Sequence, residues 1–189
     1  MVSSFKGVKS LMERIQKLSS QKVAVGVPKG PERTDSNGDE VDNADLVYIH
    51  TNGVRSIPAR EEMQKDIDKG TKYSVALQMY LHEHGSMNFQ VPPRPIIEPA
   101  IENAKEDLSE MLKNAALTEI SGGNTKRALE AVGTEAQSAV RGWFTNPQNG
   151  WAPNSPETIK SKGSDKPLID TGALRQSITY IIRDGDKDD

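Results

Sequence analysis

The sequence predicts an α+β fold: amphipathic helices packed on a small, mostly antiparallel sheet, with an extended arm or loop insertion. Three observations predict it. Leu129, Val132, Ala136, Val140 and Trp143 recur every three or four residues, the spacing of one helix face. Val23, Val25 and Val27 alternate with Lys22, Ala24 and Gly26, and an apolar run at Ile178, Ile181 and Ile182 follows much later, so both ends read as short strands. Helix start and stop signals between them are dense, among them Gly122-Gly123, Ser155-Pro156 and Gly163. At 189 residues the chain suits a single domain, residues 1–189. Its core is lean, because only 34% of residues are hydrophobic and 5% aromatic, against 27% charged. That composition is common where part of the surface is buried only against partners.

The elements follow in order. Phe5, Val8, Leu11, Met12, Ile15 and Leu18 stand at helical spacing, with Ser4 placed as N-cap, so residues 4–18 form an amphipathic first helix. Ser19-Ser20 ends it, and the strand at residues 23–27 is closed by Pro28. Residues 28–72 read as an inserted loop or arm, in which Leu46, Val47, Tyr48 and Ile49 are an apolar cluster and Leu46, Tyr48 and Ile49 are candidate subunit contacts. A helix over Tyr73 to His84 stops at Gly85 in the C′ position. Pro92, Pro93 and Pro95 then force an extended crossing. Pro99 is placed at N1 of a long helix with Ile101, Ala104, Leu108, Leu112 and Ala115 on one face, ended by Gly122-Gly123. In the next helix, from about Thr125, Gly133 and Ala139 leave room for close approach of a neighbouring element. Ser155-Pro156 opens a short helix that Gly163 stops, and Thr171-Gly172 turns the chain toward a final strand at residues 178–182.

Charge is unevenly spread. Residues 28–43 hold two bases against five acids, net −3, and residues 183–189 hold two against four, net −2. With a whole-chain charge of −3, the remainder is left at +2. The acid therefore sits in an insertion and in a flexible acidic tail at residues 184–189, two segments too polar to pack. A pI near 5.7 argues against a strongly basic nucleic-acid-binding domain. With no cysteine, disulfide frameworks, thiolate zinc sites and cysteine nucleophiles are excluded. No run approaches the ~18 apolar residues of a membrane span, and Met1-Val2-Ser3-Ser4-Phe5-Lys6 lacks the apolar stretch of a signal peptide, so use in a cytosol or in something assembled there is expected.

One pattern occurs twice. Tyr48-Ile49-His50-Thr51-Asn52-Gly53 leading to Ile57-Pro58-Ala59-Arg60 is echoed by Tyr80-Leu81-His82-Glu83-His84-Gly85 leading to Val91-Pro92-Pro93-Arg94. Two short copies are a local duplication or a coincidence, and far from a solenoid.

Chemistry-bearing motifs are sparse. His82-Glu83-His84 is the one cluster that invites a metal-dependent hydrolase, but the helical zinc motif needs histidines four apart. Two apart, they point about 200° from one another on a helix. Gly122-Gly123 and Thr171-Gly172 match no phosphate loop, and Ser177 has no histidine adjacent in sequence. Lys160, Lys162 and Lys166 form a small basic cluster whose default is a solvated loop and whose alternative is a contact with phosphate or an acidic partner. An interaction protein, without catalytic residues, cofactor or metal, is the expected class.

The C-terminal third carries a resemblance. Ser155, Thr158, Ile159 and Lys162 stand in a Ser-x-x-Thr-Ile-x-x-Lys run. Pro167, Leu168, Thr171, Gly172, Leu174, Ser177 and Ile178 stand in a Pro-Leu-x-x-Thr-Gly-x-Leu-x-x-Ser-Ile run. Together these resemble the signature of the neck, head–tail joining and tail-completion proteins of tailed bacteriophages. His82 to Gly85, Pro92 to Pro95 and Ala128 to Gly133 are also similar, so the resemblance covers roughly residues 73–183 and the strand at 23–27. It implies a structural virion protein, a ring-forming neck (collar) or connector subunit that joins the DNA-filled head to the tail, or a tail terminator capping the tail tube. Its partners would be copies of itself, other neck and connector proteins and tail proteins. DNA would pass through without specific binding, and no membrane is involved. Its places would be the virion neck and, during assembly, the host cytoplasm. Signature residues Pro167, Leu168, Thr171, Gly172, Leu174 and Ser177 read as holders of the fold more than as a binding site. In such a ring, acid at residues 32–42 or 184–189 near the channel would repel the duplex and keep it sliding.

Overall fold

A computed structural model describes residues 2–30, 33–34, 40–85 and 89–184. The architecture is α+β, helices around short antiparallel strand pairs. Helix α1 (Val2–Ser20) runs directly into β1 (Gln21–Gly26). A two-residue ribbon, β2 (Arg33–Thr34) with β3 (Glu40–Val41), precedes α2 (Asn43–Asn52), β4 (Val54–Arg55), α3 (Ile57–Asp68) and α4 (Tyr73–His84). Then come β5 (Phe89–Val91), α5 (Ile97–Asn103), α6 (Lys105–Ile120) and α7 (Thr125–Trp143). The short α8 (Pro156–Lys162) and α9 (Ala173–Ser177) lead into β6 (Thr179–Asp184).

Strand β6 returns to pair antiparallel with β1, placing Val23 opposite Ile182 and Val25 opposite Tyr180. The two expected end strands thus form one sheet, and period-two alternation sorts its faces. Val23 and Val25 pack inward against Leu108, Val132 and Ala136. Ile181, on the other face, is left exposed.

Helix α7 is the centre. Its stripe of Leu129, Val132, Ala136, Val140 and Trp143 is buried throughout, as the periodicity requires. The main core joins Val140, Trp143 and Phe144 to Ile96 and Ala100 from the Pro-rich crossing and α5, and to Leu174 and Ile178 from the C-terminal module. Arg141 clasps the two parts: its Nη2 donates to the carbonyls of Gln176 and Ile178, while Arg175 Nε donates back to the Arg141 carbonyl.

Several local expectations are met. Gly85 takes the left-handed conformation (φ 69°) that ends α4. Ser155 Oγ accepts from the Thr158 amide with Pro156 in the first turn, and Gly163 closes α8 at φ 70°. Others are corrected. α1 begins at Val2, so Ser4 lies inside the first turn and does not cap it. The long helix at Pro99 starts at Ile97 and breaks at Ala104, whose ψ of 7° leaves the helical region and separates α5 from α6. Leu112 turns outward from the face that Leu108 and Ala115 bury.

The described part of the insertion from residue 42 onward is more ordered than its composition implied. Asp42 is buried, and its carboxylate accepts from the Asp45 amide in a reciprocal capping box that starts α2. That amide, more than any other group, holds the Asp42 carboxyl below its ordinary range. Leu46 and Val47 then pack on the main core, so this part of residues 28–72 belongs to the body and is no free arm. The repeated pattern has a structural counterpart. Each copy ends a helix at a glycine with positive φ, Gly53 and Gly85, and the strands that follow, β4 and β5, pair with each other.

Candidate functional site

Four of the six signature residues, Leu168, Thr171, Gly172 and Leu174, line one cleft of about 320 Å³, and Pro167 and Ser177 do not. Leu168, Thr171, Gly172 and Leu174 form one wall, and Leu46 and His50 on α2 form the other. Arg94, Asn154 and Lys162 close it. Chain geometry explains the first wall. Leu168 is the only described non-glycine residue with positive φ (57°), and Gly172 follows at 79°. A branched residue held there costs about 1–3 kcal/mol and must be over-determined by its surroundings; Leu168 packs on the main core. Gly172 carries no such penalty, and its carbonyl accepts from the Gln176 amide to start α9. Thr171 Oγ accepts from the Ala173 amide at 3.3 Å, and Ser177 Oγ donates to the Leu174 carbonyl at 2.7 Å. Pro167, half-buried, leads into this turn.

The floor is cationic. Arg94 is 7% exposed. Its amide donates to the His50 carbonyl at 2.6 Å, tying the crossing to the end of α2. Its Nε and Nη2 donate to the carbonyls of Ala152 and Pro153 at 3.0 and 3.1 Å, which fixes the plane of the guanidinium. Asn154, also buried, uses its amide group to hold the carbonyls of Ser164 and Asp165 beneath the loop. Lys162 Nζ donates to the Lys166 carbonyl at 2.7 Å. Neither Arg94 nor Lys162 has an ion-pair partner among the described residues. Burial lowers the pKa of both, and each cation depresses the other's neighbour: His50 is pushed down by burial first, then by Arg94 and Lys162. His50 Nδ1 is buried without a hydrogen-bond partner among the described residues.

His82, Glu83 and His84 do not form a ligand set. His84 Nε2 meets Glu62 Oε1 of α3 at 2.8 Å, while His82 lines a separate shallow groove with Val75 and Met79. The contact with Glu62 raises the His84 pKa, helped by Glu83. Glu62, Glu83 and His84 each bring one ligand atom within 4.8 Å of the others, so the only described group able to hold a metal recruits α3 and leaves His82 out. The hydrolase set built on both histidines is therefore corrected.

Of the candidate subunit contacts, Leu46 and Ile49 are half-buried and Tyr48 is 71% exposed. Larger apolar surfaces lie elsewhere. Val8, Leu11, Met12 and Ile15 on α1 are exposed, as are Leu112, Leu117 and Ile120 on α6, the helix against which α1 packs. The amphipathic stripe of α1 is thus only partly covered. Most of the acid in residues 32–42 and 184–189, including Asp35, Asp39, Asp186 and Asp188, lies outside the described residues. No described helix is long and apolar enough to cross a membrane.

His50, Arg94 and Asn154 carried no motif of their own. The signal that pointed toward two of them was the doubled pattern, which holds His50 in one copy and Arg94 in the other. No protein-family model, curated protein or solved structure matches the chain.

Proposed function

We propose that the chain is a structural subunit of a tailed-bacteriophage neck, assembling with copies of itself into a ring that joins the DNA-filled head to the tail. The observation that carries the reading is the C-terminal run from Ser155 to Ile178, with its resemblance to the neck and tail-completion signature. The exposed apolar residues of α1 and α6 support it, because a lone monomer gains nothing by holding Met12 at 67% exposure beside Val8 and Ile15. In such a subunit the neighbours complete the burial that a 34% hydrophobic chain leaves unfinished. Its work is positional: it holds a channel open and binds the proteins on either side, with no bond made or broken.

Native mass spectrometry of the purified chain tests this. A closed oligomer of one defined size is expected. Met12→Glu with Ile15→Glu places two carboxylates on the open stripe and should leave a folded monomer, with helical circular dichroism retained. A wild-type chain that stays monomeric at every concentration, or a double variant that assembles normally, contradicts it.

A further inference from the structure

We infer that the open edge of α1 in one copy packs on the outer face of α6 in the next, a head-to-tail contact repeated around the assembly. This rests on the reading that copies of the chain form a ring, and it names the two unlike surfaces that meet.

The apolar stripe of α1 is covered along one edge only. At 100° per residue, Leu18, Leu11, Ile15, Val8 and Met12 follow one another around the helix. Exposure climbs in the same order, from half-buried Leu18 through 37%, 47% and 55% to 67% at Met12. Arg14 lies beside Leu18 on the covered side and reaches the end of α6, where a Cβ on Gly122 would stand 3.2 Å from its Nη1. The chain's own contact between α1 and α6 therefore uses one edge of the stripe and leaves Val8 and Met12 to water. α6 is in the same state: it buries Leu108 and Ala115, while Leu112, Leu117 and Ile120 stay about half exposed. Two such surfaces on one lean chain are what a partner covers.

Charge chooses which surfaces pair. From residue 7 on, α1 holds Lys9, Arg14 and Lys17 against Glu13, net +2. α6 holds Glu106, Asp107, Glu110 and Glu119 against Lys105 and Lys113, net −2. Among the described residues no ion pair joins the two helices within one chain, and Lys105 is taken by Glu102 of α5 at 2.8 Å. Setting α1 on α1, or α6 on α6, would bring like charges together in the contact. Setting α1 on α6 of another copy brings basic onto acidic, with apolar residues between them. In a ring each copy gives its α1 to one neighbour and its α6 to the other, so the contact is heterologous and propagates until rotation closes it.

Single-cysteine variants test this without background, because the chain has no cysteine. A ¹⁵N-labelled Met12→Cys chain is mixed with an unlabelled Leu117→Cys or Ile120→Cys chain and joined with a short bis-maleimide. All three positions are exposed, and circular dichroism checks that the fold is kept. Linked pairs are read by mass spectrometry, and the assemblies are sized by light scattering. The crossed product should be in clear excess over either same-variant product. The Met12→Cys, Leu117→Cys double variant should give a ladder of joined chains extending past the dimer. Lys9→Glu with Lys17→Glu in the Met12→Cys chain should cut the crossed product about tenfold. Linkage of Met12→Cys chains to each other as abundant as the crossed product, a ladder that stops at two chains, or a crossed product untouched by the charge reversal overturns this inference. So does an assembly with no crossed product. In each of these cases an assembly of one defined size larger than a dimer leaves the ring reading standing. A chain that stays monomeric and unlinked overturns both. Binding of the monomer to vesicles of phosphatidylcholine and phosphatidylserine, without crossed product, would give α1 to a lipid surface instead.

Discussion

Gly133→Ala is expected to destabilise the fold by about 2 kcal/mol, although alanine is the better helix former by about 1 kcal/mol. The reason is the close seat of β6 on α7. A Cβ at residue 133 would stand 2.1 Å from Tyr180 Cδ2, 2.4 Å from Cε2 and 2.6 Å from Cγ. Three ring atoms are involved, including the one nearest the backbone, so no small rotation of the ring relieves the clash. Tyr180 must leave its seat, or the strand must lift from the helix and loosen its pairing with Val25. Overpacking of this kind costs about 1–3 kcal/mol and sometimes more, which outweighs the propensity gain. Urea denaturation measures it. In a Tyr180→Ala background the same substitution should be neutral or stabilising, because the obstacle is gone. A Gly133→Ala chain as stable as wild type would mean that Tyr180 does not pack there.

The larger effect belongs to Ile178. It is 0% exposed and sits among Ile96, Val140, Trp143, Phe144 and Leu174, where α7, the Pro-rich crossing and the C-terminal module meet. Ile178→Ala should cost about 2–5 kcal/mol in the same urea experiment, the lost transfer energy plus the cavity left behind. Ile181, three residues on and 43% exposed, is the internal control. Its alanine variant should lose less than about 1 kcal/mol, since much of that side chain stays in water and no closed cavity is left behind. Equal losses at the two sites would contradict the assigned faces of β6.

These two positions show what could be read ahead of the structure. Gly133 stood out because a glycine in the middle of a strong helical stripe has no propensity reason to be there, and room for a neighbour is its ordinary explanation. The α7 stripe, the cap at Ser155 and the stops at Gly85 and Gly163 were legible for the same reason: each is decided within a few residues of chain. That residues 23–27 and 178–182 are strands of one small sheet was legible, but the outward turn of Ile181 was not, because three consecutive apolar residues conceal which parity faces the core.

The failures are long-range or depend on one dihedral. No Gly or Pro marks Ala104 as a break, and Asn103 just before it is the one weak helix former adjoining it. The Asp42–Asp45 capping box was visible as Asp-x-x-Asp before an apolar run, yet the acidity around it pointed to solvent. The cleft is the clearest case. His50, Arg94, Asn154 and Lys162 come from four separate segments, and only the folded chain brings their side chains together. Lys162 drew notice as one of three lysines, where the half-buried one differs from its neighbours by its position on α8 and not by its surroundings in sequence.

The central claim is a place in a particle, and imaging tests it most directly. Tailed particles assembled with this chain, labelled by antibody or reconstructed by electron cryomicroscopy, should show it as a single ring at the junction of head and tail. Particles made without it should hold packaged heads and finished tails that remain unjoined. Label along the tail shaft or at its far end, or normal joined particles lacking the chain, would contradict the account.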